Sequence, residues 1–367
     1  MMKMVKAADI LDIKTGKYDA NHAKKNGKYK FFTCALEPFN ADTYAFDGTM
    51  IILPGNGANV GQVLFHKGKC EAYQRTYVLH NITEHPRYIY YFFKKNWIRR
   101  ITKRQVGSAT NYIKMDDIAG YKIPLPPLAQ QKKIAAILDA ADAYRQKTKA
   151  LIEKYDELSQ SLFLDMFGDP VTNPKGWEIV KFSDVGKLDR GKSKHRPRNA
   201  PELLGGKHPL IQTGDLANCG IYLDKYNSTY SDIGLAQSKK WPTGTLCITI
   251  AANIAKTGIL SFDSCFPDSV VGFVPNEKTN TIFTLFWISF LQKILEETAP
   301  ESAQKNINLS ILRNLDLPLP PIEKQTEFAR LVEQIELQRK HAKNSILKSN
   351  NLFNCLLQKA FKGELTN

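Results

Sequence analysis

No two of the six cysteines, Cys34, Cys70, Cys219, Cys247, Cys265 and Cys355, stand closer than 18 positions apart. That spacing excludes a CxxC zinc knuckle or dithiol redox pair and leaves reduced thiols as the expectation. Long hydrophobic runs are also missing. The longest, IFTLFWISFL at 282–291, falls short of the roughly 20 apolar residues of a membrane-spanning helix. The opening MMKMVKAADI is too polar for the core of a secretory signal. These features lead us to expect a cytoplasmic protein with no membrane partner.

Catalytic signatures are scarce as well. No Walker loop or HExxH occurs, and the seven histidines are scattered. GNGANVG at 55–61 carries Val60 where a dinucleotide loop needs its third glycine, and it follows a strand-like run without opening a helix. Enzymes that methylate base amines use a polar residue ahead of Pro-Pro-aromatic, whereas the pairs here read LPPL and LPPI. PDSVVGFVPNEKT at 267–279 imitates a nuclease acid cluster around Asp268 and Glu277, but Thr279 stands where the lysine belongs. The expectation is a chain with no catalytic residue, no metal ligand and no cofactor of its own.

What is present is a basic, repetitive chain. Its 367 residues, 43% hydrophobic and 10% aromatic, have the composition of a globular protein and the length of two domains. The formal charge is +15. Lys and Arg against Asp and Glu number 20 to 10 in residues 1–122, 6 to 6 in 123–168, 17 to 15 in 169–317 and 8 to 5 in 318–367. A basic surface of this kind suits a polyanion such as nucleic acid, or serves solubility alone.

Self-comparison organises the rest. SATNYIKMDDIAGYKIPLPPLAQQKKIA (108–135) lies over SAQKNINLSILRNLDLPLPPIEKQTEFA (302–329) without a gap. Upstream, GTM at 48–50 faces GTL at 244–246, and Gly16-Lys17 faces Gly191-Lys192, with about twenty extra residues in the second copy. Each copy reads as short Gly-punctuated strands, an aromatic helix, a polar loop, a proline turn and a long helix. Proline fixes φ and biases the residue before it toward extended geometry, so L-P-L-P-P sets where the long helix begins.

Helix one carries apolar or small residues at Ile137, Ala141, Tyr144, Thr148, Leu151, Tyr155, Leu158 and Leu162, the spacing of a heptad seam. Helix two is looser, with Leu331, Ile335, Ala342, Ile346, Leu352 and Leu356 interrupted by Gln338, Ser345 and Ser349. Connectivity then predicts an α+β architecture with a pseudo-twofold internal repeat. Two globular α/β domains, 1–122 and 169–317, would be joined by antiparallel coiled-coil helices in 123–168 and 318–367. The expected rod is about 38 residues, or roughly 57 Å, long.

The pairing of IPLPPLAQQKKIAAILD and LPLPPIEKQTEFARLVE with LFLDMFGDP and WEIVKFSDV resembles the specificity subunit of type I restriction-modification enzymes. The resemblance covers essentially the whole chain, although the amino terminus has no counterpart of NPKGW. It implies two target-recognition domains that each read half of a split double-stranded DNA site. It also implies two methyltransferase subunits docked on the helices and S-adenosylmethionine on those subunits, together with restriction subunits that use ATP and Mg. A non-catalytic coiled-coil interaction protein with non-specific nucleic-acid binding is the alternative.

Reading DNA needs cations for phosphates and amide or hydroxyl groups for base edges. KLDRGKSKHRPRN at 187–199 offers Lys192, Lys194, Arg196 and Arg198, and its repeat partner offers Lys14, Lys17, Lys24 and Lys25. Polar loops add Asn56, Asn59, Thr110 and Asn111 in the first copy, and Gln212, Thr213, Asn253, Lys256, Gln304, Lys305 and Asn306 in the second. Solvated charge and turn formation are the competing explanations for these residues, above all for the Gly-flanked Asn56.

Overall fold

A computed structural model describes residues 3–102, 111–251, 254–298 and 307–365. By contact the chain divides into two units, Met1–Ala150 with Ala342–Asn367, and Leu151–His341. Each long helix, Leu128–Phe167 and Ile322–Lys362, contributes one part to each unit. Among the described residues no helix is long and apolar enough to cross a membrane.

The proline segment turns out to be half strand. Lys3–Lys6 pairs antiparallel with Lys122–Leu125, and Glu178–Lys181 pairs in the same register with Asp316–Leu319. Pro124 faces Met4 and Pro318 faces Ile179. A two-stranded ribbon leaves one edge of every strand open, so a residue without an N–H is accommodated there.

The repeat extends through both sheets of each unit. In the first, a four-stranded sheet runs in the order Asp12–Thr15, Thr76–His80, Thr49–Pro54, Leu64–Lys67. Beside it lies a smaller sheet in which Tyr29–Phe32 is parallel to Cys70–Ala72. In the second unit Gly186–Arg190, Val270–Pro275, Leu246–Thr249 and Thr257–Leu260 follow the same order, and Leu204–Leu210 is parallel to Ser264–Cys265. The extra length of the second copy forms helices Thr213–Asn218 and Asp232–Ala236 and strand Tyr222–Leu223.

Each unit closes its core around an aromatic helix. Pro86–Thr102 buries Tyr88, Ile89, Tyr91, Phe93 and Trp97, and Tyr88 and Phe92 meet Phe361 at 5.4 Å. In the second unit Thr281–Thr298 presents Phe283, which meets Phe167 at 4.9 Å and Phe163 at 5.6 Å. Aromatic pairs at these separations add to the area they bury.

Within the second unit Asp156 meets Arg339 at 2.8 Å and Phe163 meets Phe328 at 5.6 Å, so the helices run antiparallel. One row of the expected seam is displaced by one residue. Ile137, Tyr144, Leu151 and Leu158 are exposed, while Leu138 and Ser159 are buried and Arg145 and Ile152 half-buried. In the other row Thr148 is buried and Ala141, Tyr155 and Leu162 are half-buried. On helix two Leu352 is exposed and its neighbour Phe353 is buried, as is Ser349.

At two of these sites hydropathy favoured the outward residue, Tyr144 over Arg145 and Leu158 over Ser159, but the inward polar residues have partners. Arg145 reaches Asp142 at 2.6 Å and lies 4.2 Å over the Phe353 ring. Its repeat equivalent Arg339 reaches Glu336 at 3.2 Å.

The proline motif ends in a buried glutamine that ties these parts together. Gln131 Oε1 accepts from His85 N at 3.1 Å, and its Nε2 donates to Pro126 O at 2.9 Å and Glu84 Oε2 at 2.7 Å. Gln325 repeats this, accepting from Asn280 N at 2.9 Å and donating to Pro320 O at 2.8 Å. Removing a partner from a buried backbone group leaves its desolvation uncompensated. Gln325→Ala should therefore lower unfolding stability by about 2–3 kcal/mol in a denaturant titration, whereas exposed Gln338→Ala should change it by less than about 0.5 kcal/mol.

Candidate nucleic-acid interface

Strand register decides which loops lie together. Thr15 pairs with Tyr77, Pro54 with Thr76, and Ile52 with Leu64. Loops 16–28, 55–63 and 73–75 therefore leave one end of the first unit's sheet. In the second unit Arg190 pairs with Val271, Thr249 with Val270, and Ile248 with Thr257. Loops 191–200 and 266–269 share the equivalent end, with residues 250–251 and 254–256 beside them.

Both basic loops start from a glycine pressed against backbone. A Cβ on Gly16 would lie 1.6 Å from Ala72 O, and one on Gly191 2.2 Å from Phe266 O. Only the absence of a side chain lets these loops begin so close to the neighbouring connection.

The loop after Gly191 is held at several points. Gln237 Oε1 accepts from Lys194 N at 2.6 Å and His195 N at 3.0 Å, and the Ser238 hydroxyl donates to Lys192 O at 2.8 Å. Arg198 Nη2 donates to Asp268 Oδ1 at 2.5 Å, and Arg196 Nη2 stands 3.6 Å from the other carboxylate oxygen. The side chains of Lys192 and Lys194 remain exposed. At the base of the loop, burial would raise the Asp189 pKa. The Lys239 ammonium at 3.0 Å, the Arg190 N–H and the charge of Lys192 outweigh that and hold the carboxyl below the ordinary aspartate range.

The first unit fixes its loop with different chemistry. Tyr18 stacks on His22 at 3.7 Å, His22 Nε2 reaches Thr43 Oγ1 at 2.8 Å, and Thr43 donates to buried Glu71. Lys14, Lys17, Lys24 and Lys25 are exposed around this frame, with Lys24 N donating to Asn40 O.

Asn56, Asn59 and Asn111 come together, but their groups are partly committed. Asn56 Oδ1 accepts from the Cys34 thiol at 2.9 Å, Asn59 Nδ2 donates to Cys34 O at 2.8 Å, and Gly57 N donates to Asn111 O. Lys256 is half-buried, its N donating to Thr249 Oγ1. Gln212 precedes helix Thr213–Asn218, its N donating to Asp215 Oδ2 at 2.8 Å. Thr110, Asn253, Gln304, Lys305 and Asn306 lie outside the described residues.

Sequence reasoning missed the residues that hold the loops, namely Gln237, Ser238, Asp268 and the Tyr18–His22 stack. None has a spacing signal, since Arg198 and Asp268 are 70 positions apart. Asp268 and Glu277, weighed as a nuclease pair, flank opposite ends of strand Val270–Pro275, roughly 20 Å of extended chain.

Comparison with known proteins meets this geometry. The family model described as "Type I restriction modification DNA specificity domain" matches residues 1–154 and again 174–349. The chain belongs to this family. An Escherichia coli relative, the type I restriction enzyme EcoDI specificity subunit, is 27% identical over 99% of this chain and 88% of its own length. The MjaVIII specificity subunit of Methanocaldococcus jannaschii is 25% identical over 84% of this chain and 78% of its own.

The fold is shared with the crystal structure of a type I restriction-modification S subunit from M. genitalium, at TM-score 0.67 and 16% identity over 98% of this chain and 96% of that one. It is shared too with a chain from work on complex assembly and conformational transition of the type I system, at TM-score 0.59 and 16% identity over 99% of this chain and 98% of that one. The two stretches matched by the specificity-domain model contain the two basic loops, one in each.

Cations that neutralise phosphates release counterions, so each adds roughly 0.9 to the slope of log affinity against log salt. Replacing Lys192 and Lys194 together by Ala should flatten that slope by about 1.8 in a duplex-binding titration. An unchanged slope would remove both from the contact surface.

Proposed function

We propose that this chain is the sequence-reading subunit of a type I restriction-modification complex in the cytoplasm. Residues 1–122 and 169–317 each recognise one half of a bipartite double-stranded DNA target. The parts in 123–168 and 318–367 carry the helices on which two methyltransferase subunits dock, and restriction subunits join the assembly. The observation that carries this reading is the duplication itself. One scaffold occurs twice in a DNA-specificity family, and at the same sheet end each copy displays a basic loop fixed by different side chains. A single scaffold with two loop chemistries suits two unlike half-sites.

Methylation and restriction then belong to the partners, which supply S-adenosylmethionine, ATP and Mg. The chain's own work is to orient cations and amides toward DNA, where phosphate contacts set position and base contacts set sequence.

Purified chain should give no calorimetric heat with S-adenosylmethionine and no methylation. With its methyltransferase partner it should direct methyl groups to one bipartite sequence in a randomised library. Heat from the chain alone would contradict the division of labour. Equal affinity for specific and scrambled duplexes would favour a non-specific interaction protein instead.

A further inference from the structure

We propose that Arg198 reads a guanine in the half-site of the second unit and that Asp268 is the positioning residue that aims it. The inference rests on the DNA-reading function above and names the residue pair and the base.

The four cations of the loop are not equivalent. Lys192 and Lys194 have exposed side chains held only through their backbone. Arg196 is turned back on its own loop, with Nη1 donating to Ser193 O and His195 O, and its Nη2 approaches Asp268 Oδ2 only at 3.6 Å. Arg198 is 46% exposed and donates through Nη2 alone, to Asp268 Oδ1. Among the described residues its Nε and Nη1 have no protein acceptor, so part of a rigid planar fork stays available with its orientation already set.

Asp268 is itself firmly placed. It follows Pro267, whose carbonyl accepts from Val270 N at 3.0 Å, and its own carbonyl accepts from Arg190 Nε at 2.9 Å. The start of the basic loop at Gly191 packs directly on the Phe266 and Pro267 backbone, leaving no room for a Cβ. Carboxylate and arginine are thus referred to one rigid base, which a loop needs if it is to read rather than merely attract.

Charge then selects the target of the fork. A phosphate approaching the same guanidinium would meet the Asp268 carboxylate as a like charge. The O6 and N7 acceptors of guanine are neutral and match the arginine fork in the major groove. A cation meant only for phosphate gains nothing from an adjacent acid, whereas one meant for a base edge gains orientation and loses non-specific pull.

Among the described residues of the first unit, no arginine of the basic loop faces an acid of the neighbouring connection. Gly55 N bonds Arg75 O where Ile250 N bonds Ser269 O, so the connection 73–75, which carries no acid, stands where Asp268 does. The first unit's basic candidates, Lys14 on strand Asp12–Thr15 and Lys17, Lys24 and Lys25 in the loop, include no arginine. The first half-site therefore serves as an internal control.

The test uses the full chain reconstituted with its methyltransferase partner, and methylation mapping on a randomised library. Arg198→Lys, which keeps the charge and loses the fork, should reduce discrimination at one G·C position of one half-site by about ten- to a hundredfold. Asp268→Asn should relax the same position while non-specific affinity at low salt holds or rises, and the other half-site should be unchanged.

A wild-type complex with no bipartite preference would sink the parent reading instead. If the wild type has a site and Arg198→Lys retains its consensus, this assignment is wrong. It is also wrong if the altered position is not a guanine, or if affinity falls uniformly across sequences as for a phosphate contact. Should Asp268→Asn lower the thermal midpoint and lose activity, the exposed Arg198→Lys decides the question alone.

Discussion

A buried side-chain amide fixes how each unit of this protein is put together. Gln131 and Gln325 sit in the first turn of the long helices, fully enclosed, and satisfy a backbone N–H at the start of the aromatic helix and a carbonyl of the proline segment. The first N–H groups of a helix have no partner within it, so something must supply an acceptor when that end is buried. Here a glutamine from another helix does so. The bond couples the proline strand, the aromatic helix and the long helix into one body, and the recognition sheet packs on that body.

On this frame the two copies separate what is kept from what varies. Strand order, the parallel pair, the proline ribbon and the buried glutamine are the same in both. The loops at the shared sheet end differ in length and in what holds them. An aromatic stack with a hydroxyl relay serves the first, and an amide, a hydroxyl and a carboxylate serve the second. Cores tolerate little change because their packing is dense, whereas surface loops tolerate much. A duplicated recognition protein can thus keep its scaffold while its two readings diverge.

Polar groups also enter where apolar packing would be expected. Arg145 and Arg339 occupy inward positions beside Asp142 and Glu336, and Thr148, Ser159 and Ser349 are buried between the long helices. The hydroxyls donate to carbonyls of their own helix, so they lie inside without an unpaired donor. Such a seam depends on the pairing of particular residues more than on bulk hydrophobicity.

The sequence by itself determined the duplication, the α+β succession of elements, the start of each long helix and the presence of two basic loops. Each of these is written in local order: proline restricts the chain at one point, and a gapless repeat needs no three-dimensional knowledge. Which row of a helix faces inward was decided by the partner helix. Arg145 is a poor inward residue by hydropathy, yet it lies over Phe353, 208 positions away. How Arg196 and Arg198 divide between Asp268 and the carbonyls of their own loop was likewise settled by a turn 70 positions downstream of Arg198. Composition records that charges exist, but only the folded chain brings an acid against two arginines and leaves the lysines beside them in water.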